Sequence, residues 1–425
     1  MRSFPFDPRR LRLFYGFPVL LFGTIGMLMS APGQTIGVSV FTDYLIAELA
    51  LERTGLSLAY LVGTLGSAFF LSWAGRLYDR FGGRLVASVA AALLAAVLLG
   101  LTFTPQLAGL VGGPVFAFAV MALGFFLLRF SGQGMLTLAS RNMVMEWFDR
   151  RRGMANAVMG VSISFGFSYA PRVFDDLIRS AGWRLAWREL AIAAAIFSVV
   201  AFIFYRDTPE AHGLKPDGPL GKSRRENHPE TATGRDFTLP EARRTYSFWV
   251  FALAISLAGL VLTAYTFHIV SIFDAAGMNR SRAVGVFLPA AIVAVAVEFL
   301  GSWISDYIRL KYLLMVQLLG VATLTVSIAL LAPGAAVVGV IVGQGLMQGV
   351  FGILSNVTWP RFYGRGHLGA ISGFVLAMTV TGTAVGPYFF SLGRDLSGSY
   401  MAPALVCTVL VVVLFLGAFR ANRPA

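Results

Sequence analysis

Twelve stretches of this chain are apolar over about the length a helix needs to cross a bilayer, with charged turns or loops between them. They fall at 13–36, 55–75, 84–104, 117–141, 154–174, 187–205, 247–270, 283–304, 312–332, 335–358, 369–392 and 401–419. A helix rises about 1.5 Å per residue, so each run spans a hydrocarbon layer about 30 Å thick. No water serves the backbone there, and every amide must be satisfied within the segment, which a helix does. Composition closes off the soluble alternative. Hydrophobic residues are 57% of the chain and charged residues 13%, against about 25% charged in ordinary soluble domains. The expected fold class is an all-α membrane protein of twelve transmembrane helices.

The formal charge of +13 invites a nucleic-acid reading until its distribution is followed. Of the 34 lysines and arginines, 25 fall in the alternate loops that include both termini, eight fall in the opposite set, and Arg129 lies inside the fourth span. By the positive-inside rule both termini are expected to be cytoplasmic, as in a multi-pass protein of a bacterial inner membrane. The positive charge is then topological and no nucleic-acid partner is expected. The first span superficially resembles a signal peptide, but eleven more follow, so its retention is expected. A single cysteine, Cys407, excludes an intrachain disulfide and any cysteine metal cluster. No phosphate loop, histidine–carboxylate metal grouping or Ser-His-Asp set stands out. Neither an enzyme nor a resident metal or cofactor is expected, and the drive must come from gradients.

Residues 206–246 form the one long polar stretch and divide the chain into an N-terminal six-helix bundle, 1–205, a cytoplasmic linker, and a C-terminal six-helix bundle, 247–425. The halves echo one another. Gly132-Gln133-Gly134 recurs as Gly343-Gln344-Gly345, and Trp147 followed by Arg150, Arg151, Arg152 and Gly153 recurs as Trp359 followed by Arg361, Arg365 and Gly366. A parallel repeat of this kind places substrate between the halves near mid-membrane.

A charged turn between the second and third spans reads Gly75-Arg76-Leu77-Tyr78-Asp79-Arg80-Phe81-Gly82-Gly83-Arg84. Asp79 is expected to accept from the free N–H groups of the next helix and to balance Arg80 and Arg84, while Gly75 and Gly82 permit close approach and a sharp turn. A weaker copy, Ser302-Trp303-Ile304-Ser305-Asp306-Tyr307-Ile308-Arg309-Leu310-Lys311, lies between the eighth and ninth spans. Gly75, Asp79, Arg80, Gly82, Arg84, Asp306 and Arg309 are therefore candidate gating residues. The spacing resembles the loops after helices 2 and 8 of the major facilitator superfamily of transporters, whose fold is two pseudo-symmetric six-helix bundles. Finer features resemble one branch, the oxalate/formate antiporters and monocarboxylate porters. These are Trp147-Phe148-Asp149-Arg150-Arg151-Arg152-Gly153-Met154-Ala155, Gly182-Trp183-Arg184, Arg206-Asp207-Thr208-Pro209-Glu210, Gly213-Leu214-Lys215-Pro216-Asp217-Gly218 and Thr245-Tyr246-Ser247-Phe248-Trp249.

A charge at the centre of a span costs about 2.5–3.5 kcal/mol on insertion scales, so each asks for a role or a partner. Arg129 lies about 18 Å along the helix from Arg141, near the midplane. It resembles the helix-4 arginine of many proton-coupled facilitators, and a guanidinium there can bind a carboxylate bidentately or form an internal ion pair. Glu298 lies about 12 Å inside the span end marked by Asp306 and suits a proton carrier. By register it stands where the monocarboxylate branch carries a substrate-binding arginine, so the charge pair has moved across the cavity or the substrate differs. His268, about 9 Å from Asp274, fits substrate binding, proton coupling or a satisfied interfacial position. Gln34 follows Pro32 and Gly33, which disrupt a helix and open backbone carbonyls. Gln344 and Gln348 share a face one turn apart, beside glycines 343, 345, 349 and 352 that also suit interhelical packing.

The expected function is secondary active transport by alternating access. The substrate would be a small organic anion, monocarboxylate-like, and the drive protons. The substrate-binding candidates are Arg129, Gln34, His268, Gln344 and Gln348; the proton-coupling candidates are Glu298 and His268. A proton-driven exporter of metabolites or drugs, or a substrate sensor that keeps the fold without transport, are the alternatives. The expected partners are substrate, protons and lipid, and the expected state is a monomer.

Overall fold

The computed structural model describes residues 5–10, 13–49, 53–111, 113–218 and 235–424, so the middle of the polar linker lies outside the described residues. Regular structure among them is entirely helical. In chain order the helices are α1 (Gly16–Met29), α2 (Thr35–Leu49), α3 (Arg53–Leu101), α4 (Thr104–Val111), α5 (Pro114–Leu128), α6 (Thr137–Trp147), α7 (Arg152–Ala181) and α8 (Trp183–Phe204). There follow α9 (Leu239–Ala242), α10 (Tyr246–Ala275), α11 (Arg280–Gly285), α12 (Phe287–Ser305), α13 (Leu310–Ala329), α14 (Ala335–Tyr363), α15 (Leu368–Ser397) and α16 (Met401–Ala418).

These helices account for twelve spans. Ten are long and apolar enough by composition alone, and one of those, Leu58–Leu101, holds the second and third spans together. Gly82 divides them. Its φ of 83° and ψ of 161° lie outside the helical region, where a residue without Cβ is least strained. The fifth span is α7, which carries serines, Arg172, Asp175 and Asp176 among its apolar residues. The first span departs from the expected 13–36. It runs from Gly16 to Leu49 in two helices, broken by a 3-10 turn at Ala31–Gly33 and an extended Gln34. Pro32 removes an amide donor there, and the polar residues that follow, Thr35 and Thr42 among them, do not stop the helix from resuming.

By contacts the chain forms two compact units. The first comprises residues 1–149, 162–223 and 367–377, with α3 packed on α5 and α8, and α1 on α6. The second comprises 150–161, 224–366 and 378–425, with α14 packed on α12 and α13, and α16 on α13. The first turns of α7 thus pack with the second unit, and those of α15 with the first. Glycines allow the tight contacts: a Cβ on Gly343 would meet the backbone of Leu324 at 2.5 Å, and one on Gly345 would meet Val293 at 2.5 Å. The glycine pattern of α14 is therefore interhelical packing, as one of its two sequence readings holds.

Candidate functional site

Two irregularities in the first unit meet at one point. The 3-10 turn at Ala31–Gly33 interrupts the first span, and between α5 and α6 the fourth span widens into a π-helical turn over Arg129–Leu136. A π turn carries one extra residue per hydrogen-bonded ring and is frequent where a helix bears function. Gly33 and Gly132 touch backbone to backbone, so that a Cβ on Gly132 would lie 2.9 Å from the Gly33 Cα. Polar side chains lace the crossing. Gln34 Nε2 donates to Ser30 Oγ at 3.0 Å and to Thr137 Oγ1 at 3.4 Å, and Thr137 donates to the Gly132 carbonyl at 3.3 Å.

Arg129 projects into this crossing and is 2% exposed. Its Nη1 donates to the Gly33 carbonyl and to Thr35 Oγ1, both at 3.2 Å. Its guanidinium carbon stands 5.3 Å from the Tyr60 ring centroid, a cation–π distance. Tyr60 in turn donates its hydroxyl to Thr35 Oγ1 at 2.9 Å. Among the described residues no carboxylate pairs with Arg129, and its Nε is buried without a hydrogen bond. A buried unmade donor costs about 1–3 kcal/mol or more when charged, so an anion supplied from outside would find an unsatisfied cation.

The second unit holds the other candidates. Glu298 on α12 lies against backbone: a Cβ on Gly160 of α7 would collide with its Oε1, and one on Gly352 of α14 would meet the same oxygen at 2.9 Å. One turn along, Asn156 donates to Ser302 Oγ at 3.0 Å and accepts from Asn356, so a polar seam continues along the same faces. Gln344 is buried with its Oε1 unpartnered, while Gln348 is half-buried. The His268 ring is held at both nitrogens: Nε2 lies 2.9 Å from the Pro387 carbonyl and Nδ1 lies 3.4 Å from the Tyr400 hydroxyl. Tyr400 also donates to Ser271 at 3.0 Å. These contacts fit the interfacial brace among the readings of His268.

The charged turns are caps, but not of the helices the sequence suggests. Asp79 accepts from Gly369 N at 2.7 Å and Ala370 N at 2.8 Å, at the start of α15, rather than from the third span. Its expected balance with Arg84 is replaced too. Arg84 N donates to Asp207 at 2.8 Å, its Nε donates to the Phe202 carbonyl, and its guanidinium lies over the Phe202 ring. Asp207 belongs to the linker, which no local reading of the turn includes, and it sits against Gly82. Arg80 lies over Phe81. Gly75 is a packing point, since a Cβ there would collide with the Gly369 carbonyl.

The second unit repeats the device. Asp306 accepts from Gly153 N at 2.9 Å and Met154 N at 3.2 Å at the start of α7, and Arg361 pairs with it at 3.3 Å. Arg309 occupies the N-cap of α13 without a side-chain capping bond. The linker ends are tied down as well. Trp147 donates to the Arg206 carbonyl at 2.8 Å and Asp217 N donates to the Trp147 carbonyl at 3.1 Å, while Phe237 N donates to the Tyr363 carbonyl at 2.9 Å. The positions that sequence reasoning missed are Thr35, Tyr60, Thr137, Asn156, Asn356 and Asp207, small or neutral polar residues and a linker acid whose importance lies in their neighbours.

A family model described as Major Facilitator Superfamily matches residues 19–387. The hexuronate transporter of Bacillus subtilis (strain 168) is 21% identical over 421 residues, covering 96% of this chain and 94% of that protein. The probable nitrate/nitrite transporter NarK2 of Mycobacterium tuberculosis is 27% identical over 281 residues, covering 64% of this chain and 62% of that one. Among solved structures, the proton:xylose symporter XylE superposes with a TM-score of 0.69 at 16% identity, covering 96% of this chain and 95% of that chain. A variant of the E. coli fucose:proton symporter FucP gives 0.62 at 14% identity, covering 97% and 100%. At these identities the structures speak for the fold alone.

Proposed function

The chain belongs to the Major Facilitator Superfamily, and we propose that it carries a small organic anion in company with protons, by alternating access. It is a membrane transport protein and not an enzyme. The observation that carries the anion is Arg129: a cation buried at mid-span, bonded to a carbonyl, a hydroxyl and a ring face, and paired with no carboxylate among the described residues. Two relatives, a hexuronate transporter and a probable nitrate/nitrite transporter, are named for anionic substrates, which supports the same class. The loop Trp147–Ala155, with its likeness to monocarboxylate porters, supports a carboxylate head. Gln34 is the neutral partner at the same crossing, and Gln344 and Gln348, one turn apart on α14, are the amide candidates of the second unit. Glu298 is the proton carrier, and the arginine distribution supports a cytoplasmic position for both termini.

The test is ligand-induced stabilisation of the purified full-length protein in detergent, with lactate, glucuronate and nitrate as probes and glucose as the neutral control. A ligand at a hundred times its Kd stabilises by about 2.7 kcal/mol, which a melting curve resolves. At least one anion should stabilise and glucose should not. Arg129→Lys keeps the charge but loses the planar fork, and should weaken that anion's binding at least about tenfold. Equal stabilisation of Arg129→Lys and the natural protein overturns the anion reading.

A further inference from the structure

We infer that Arg141 is a second anion station, a site for a small oxyanion such as a carboxylate, on the linker side of the Arg129 crossing and in the same span. This rests on the reading that the chain carries an anion, and adds a residue on which that reading does not depend.

Arg141 closes the fourth apolar run of the sequence, yet the structure places it inside α6, six residues before Trp147 ends that helix. It is 8% exposed. A guanidinium brings five N–H donors and keeps its charge, and buried charges are as a rule paired. Arg141 is not. Among the described residues it makes no hydrogen bond, ion pair or ring contact, and no acid acts on it from nearby. None of its guanidinium nitrogens is sealed, in contrast to Nε of Arg129, so the open part of the side chain includes its charged tip.

That tip opens to the interior of the first unit. All eleven residues of α6 are buried, which keeps lipid headgroups from the helix. Successive residues turn by about 100°, and both flanks of Arg141 are occupied. On one side Ser140 bonds Tyr205 at 2.8 Å, and Ser140 and Val144 face Gly23 of α1. On the other Asn142 donates to Ser372 at 2.7 Å, and Leu138 faces Gly373 of α15. Arg141 emerges between these contacts. Thr137 stands one turn earlier on the same face. Its hydroxyl lies 3.4 Å from Gln34 Nε2 and 3.1 Å from Ser30 Oγ, so a polar lane leads from the Arg129 crossing toward Arg141. The two cations are twelve residues apart, about 18 Å along the helix, too far for one small anion to touch both. Passage needs sites that bind well enough to admit an ion and loosely enough to release it. Two stations divide one deep well into two shallower ones.

The experiment is exchange of labelled lactate, glucuronate and nitrate by the purified full-length protein in proteoliposomes. The chain has one cysteine, Cys407, so Arg141→Cys is made together with Cys407→Ala and presents a single thiol. Arg141→Cys should lower exchange at least about tenfold. Treatment with 2-aminoethyl methanethiosulfonate, which leaves an ammonium on that thiol, should restore exchange to within about threefold of Cys407→Ala alone. Ethyl methanethiosulfonate leaves a neutral tail of similar length and should restore nothing; rescue by both reagents marks a packing role and overturns the station. A thiol that neither reagent modifies, read by mass, shows a closed site and does the same. Arg141→Met should melt no lower than the natural protein without ligand, because the lost charge had no partner. A lower melting temperature identifies a structural arginine and also overturns the station. Unchanged exchange in Arg141→Cys overturns it and leaves the anion reading to Arg129. Stabilisation of the natural protein by an anion that it does not exchange removes the transit that the station serves. If none of the three anions stabilises the natural protein or is exchanged by it, both readings fall.

Discussion

Asp79, three residues before the break at Gly82, accepts from the Gly369 and Ala370 amides at 2.7 and 2.8 Å at the start of α15. A hydrogen bond to a charged group contributes about 1.5–3 kcal/mol, against about 0.5–1.5 kcal/mol for a neutral one. Asp79→Asn keeps the shape and removes the charge, so the start of α15 should be held less firmly. Hydrogen exchange at Gly369 and Ala370 at a fixed pH reads this directly, and both amides should exchange faster in the variant. Equal protection in Asp79→Asn and the natural protein would remove the carboxylate from the cap. Asp79 and Asp306 are legible in the sequence because each stands as an acid in a repeated turn. Their partners are not legible, since Gly369 lies 290 residues from Asp79 and only the packing of α15 brings its amide there. Gly153 and Gly369 show the same limit: each is one glycine among 46, and what marks it is the acid it faces.

Among the elements, the crossing of the first and fourth spans has the least room. A Cβ on Gly33 would meet the Leu128 carbonyl at 2.7 Å and the Gly132 Cα at 2.8 Å, both backbone atoms that cannot swing aside. Gly132→Ala should therefore part the two helices, lower the melting temperature through about 1–3 kcal/mol of overpacking, and weaken anion binding by moving the Gly33 carbonyl from Arg129. Gly100→Ala, with nothing within 4 Å of its added carbon, should cost nothing and gain up to about 1 kcal/mol of helix propensity. Equal melting temperatures for the two variants would remove the crossing from the account. Half of this crossing is legible beforehand. Pro32 and Gly33 announce a break because one lacks a donor and the other lacks a side chain. The π turn at Arg129–Leu136 has no such signature, since any residue can be the extra one and only the neighbouring helix decides where the ladder widens. The first span illustrates the same point at its far end, where α2 continues to Leu49 past Asp43 and Glu48, and Glu48 is answered by Arg184 from α8.

For the molecule as a whole the open question is what a proton does for the substrate, and Glu298 is where it is asked. Twelve spans, their repeat and the superfamily are legible because the bilayer imposes a length and a polarity on every segment, and a duplicated motif states its own register. Coupling is not imposed in that way; it depends on which buried acid changes charge during the cycle. Arg129 and Glu298 belong to different units, and each is lodged against the backbone of its own, Arg129 on the Gly33 carbonyl and Glu298 against Gly160 and Gly352. Carrying an ionised carboxylate through a low-dielectric core is costly, whereas a neutral carboxyl or an amide of the same shape is far cheaper. A symporter built on Glu298 should therefore take up a proton as it binds its anion, and affinity should strengthen as pH falls. Glu298→Gln mimics the protonated form and keeps the shape that fits against Gly160 and Gly352. It should bind substrate with little dependence on pH and exchange it across a vesicle membrane, yet fail to accumulate it. In proteoliposomes an imposed gradient of about two pH units can sustain about a hundredfold accumulation at one proton per substrate, because each factor of ten is about 1.4 kcal/mol. That ratio should collapse to about one in Glu298→Gln and persist in His268→Gln, whose ring already serves Pro387 and Tyr400. Accumulation by Glu298→Gln under the same gradient would take the coupling role from Glu298 and leave proton symport without its carrier.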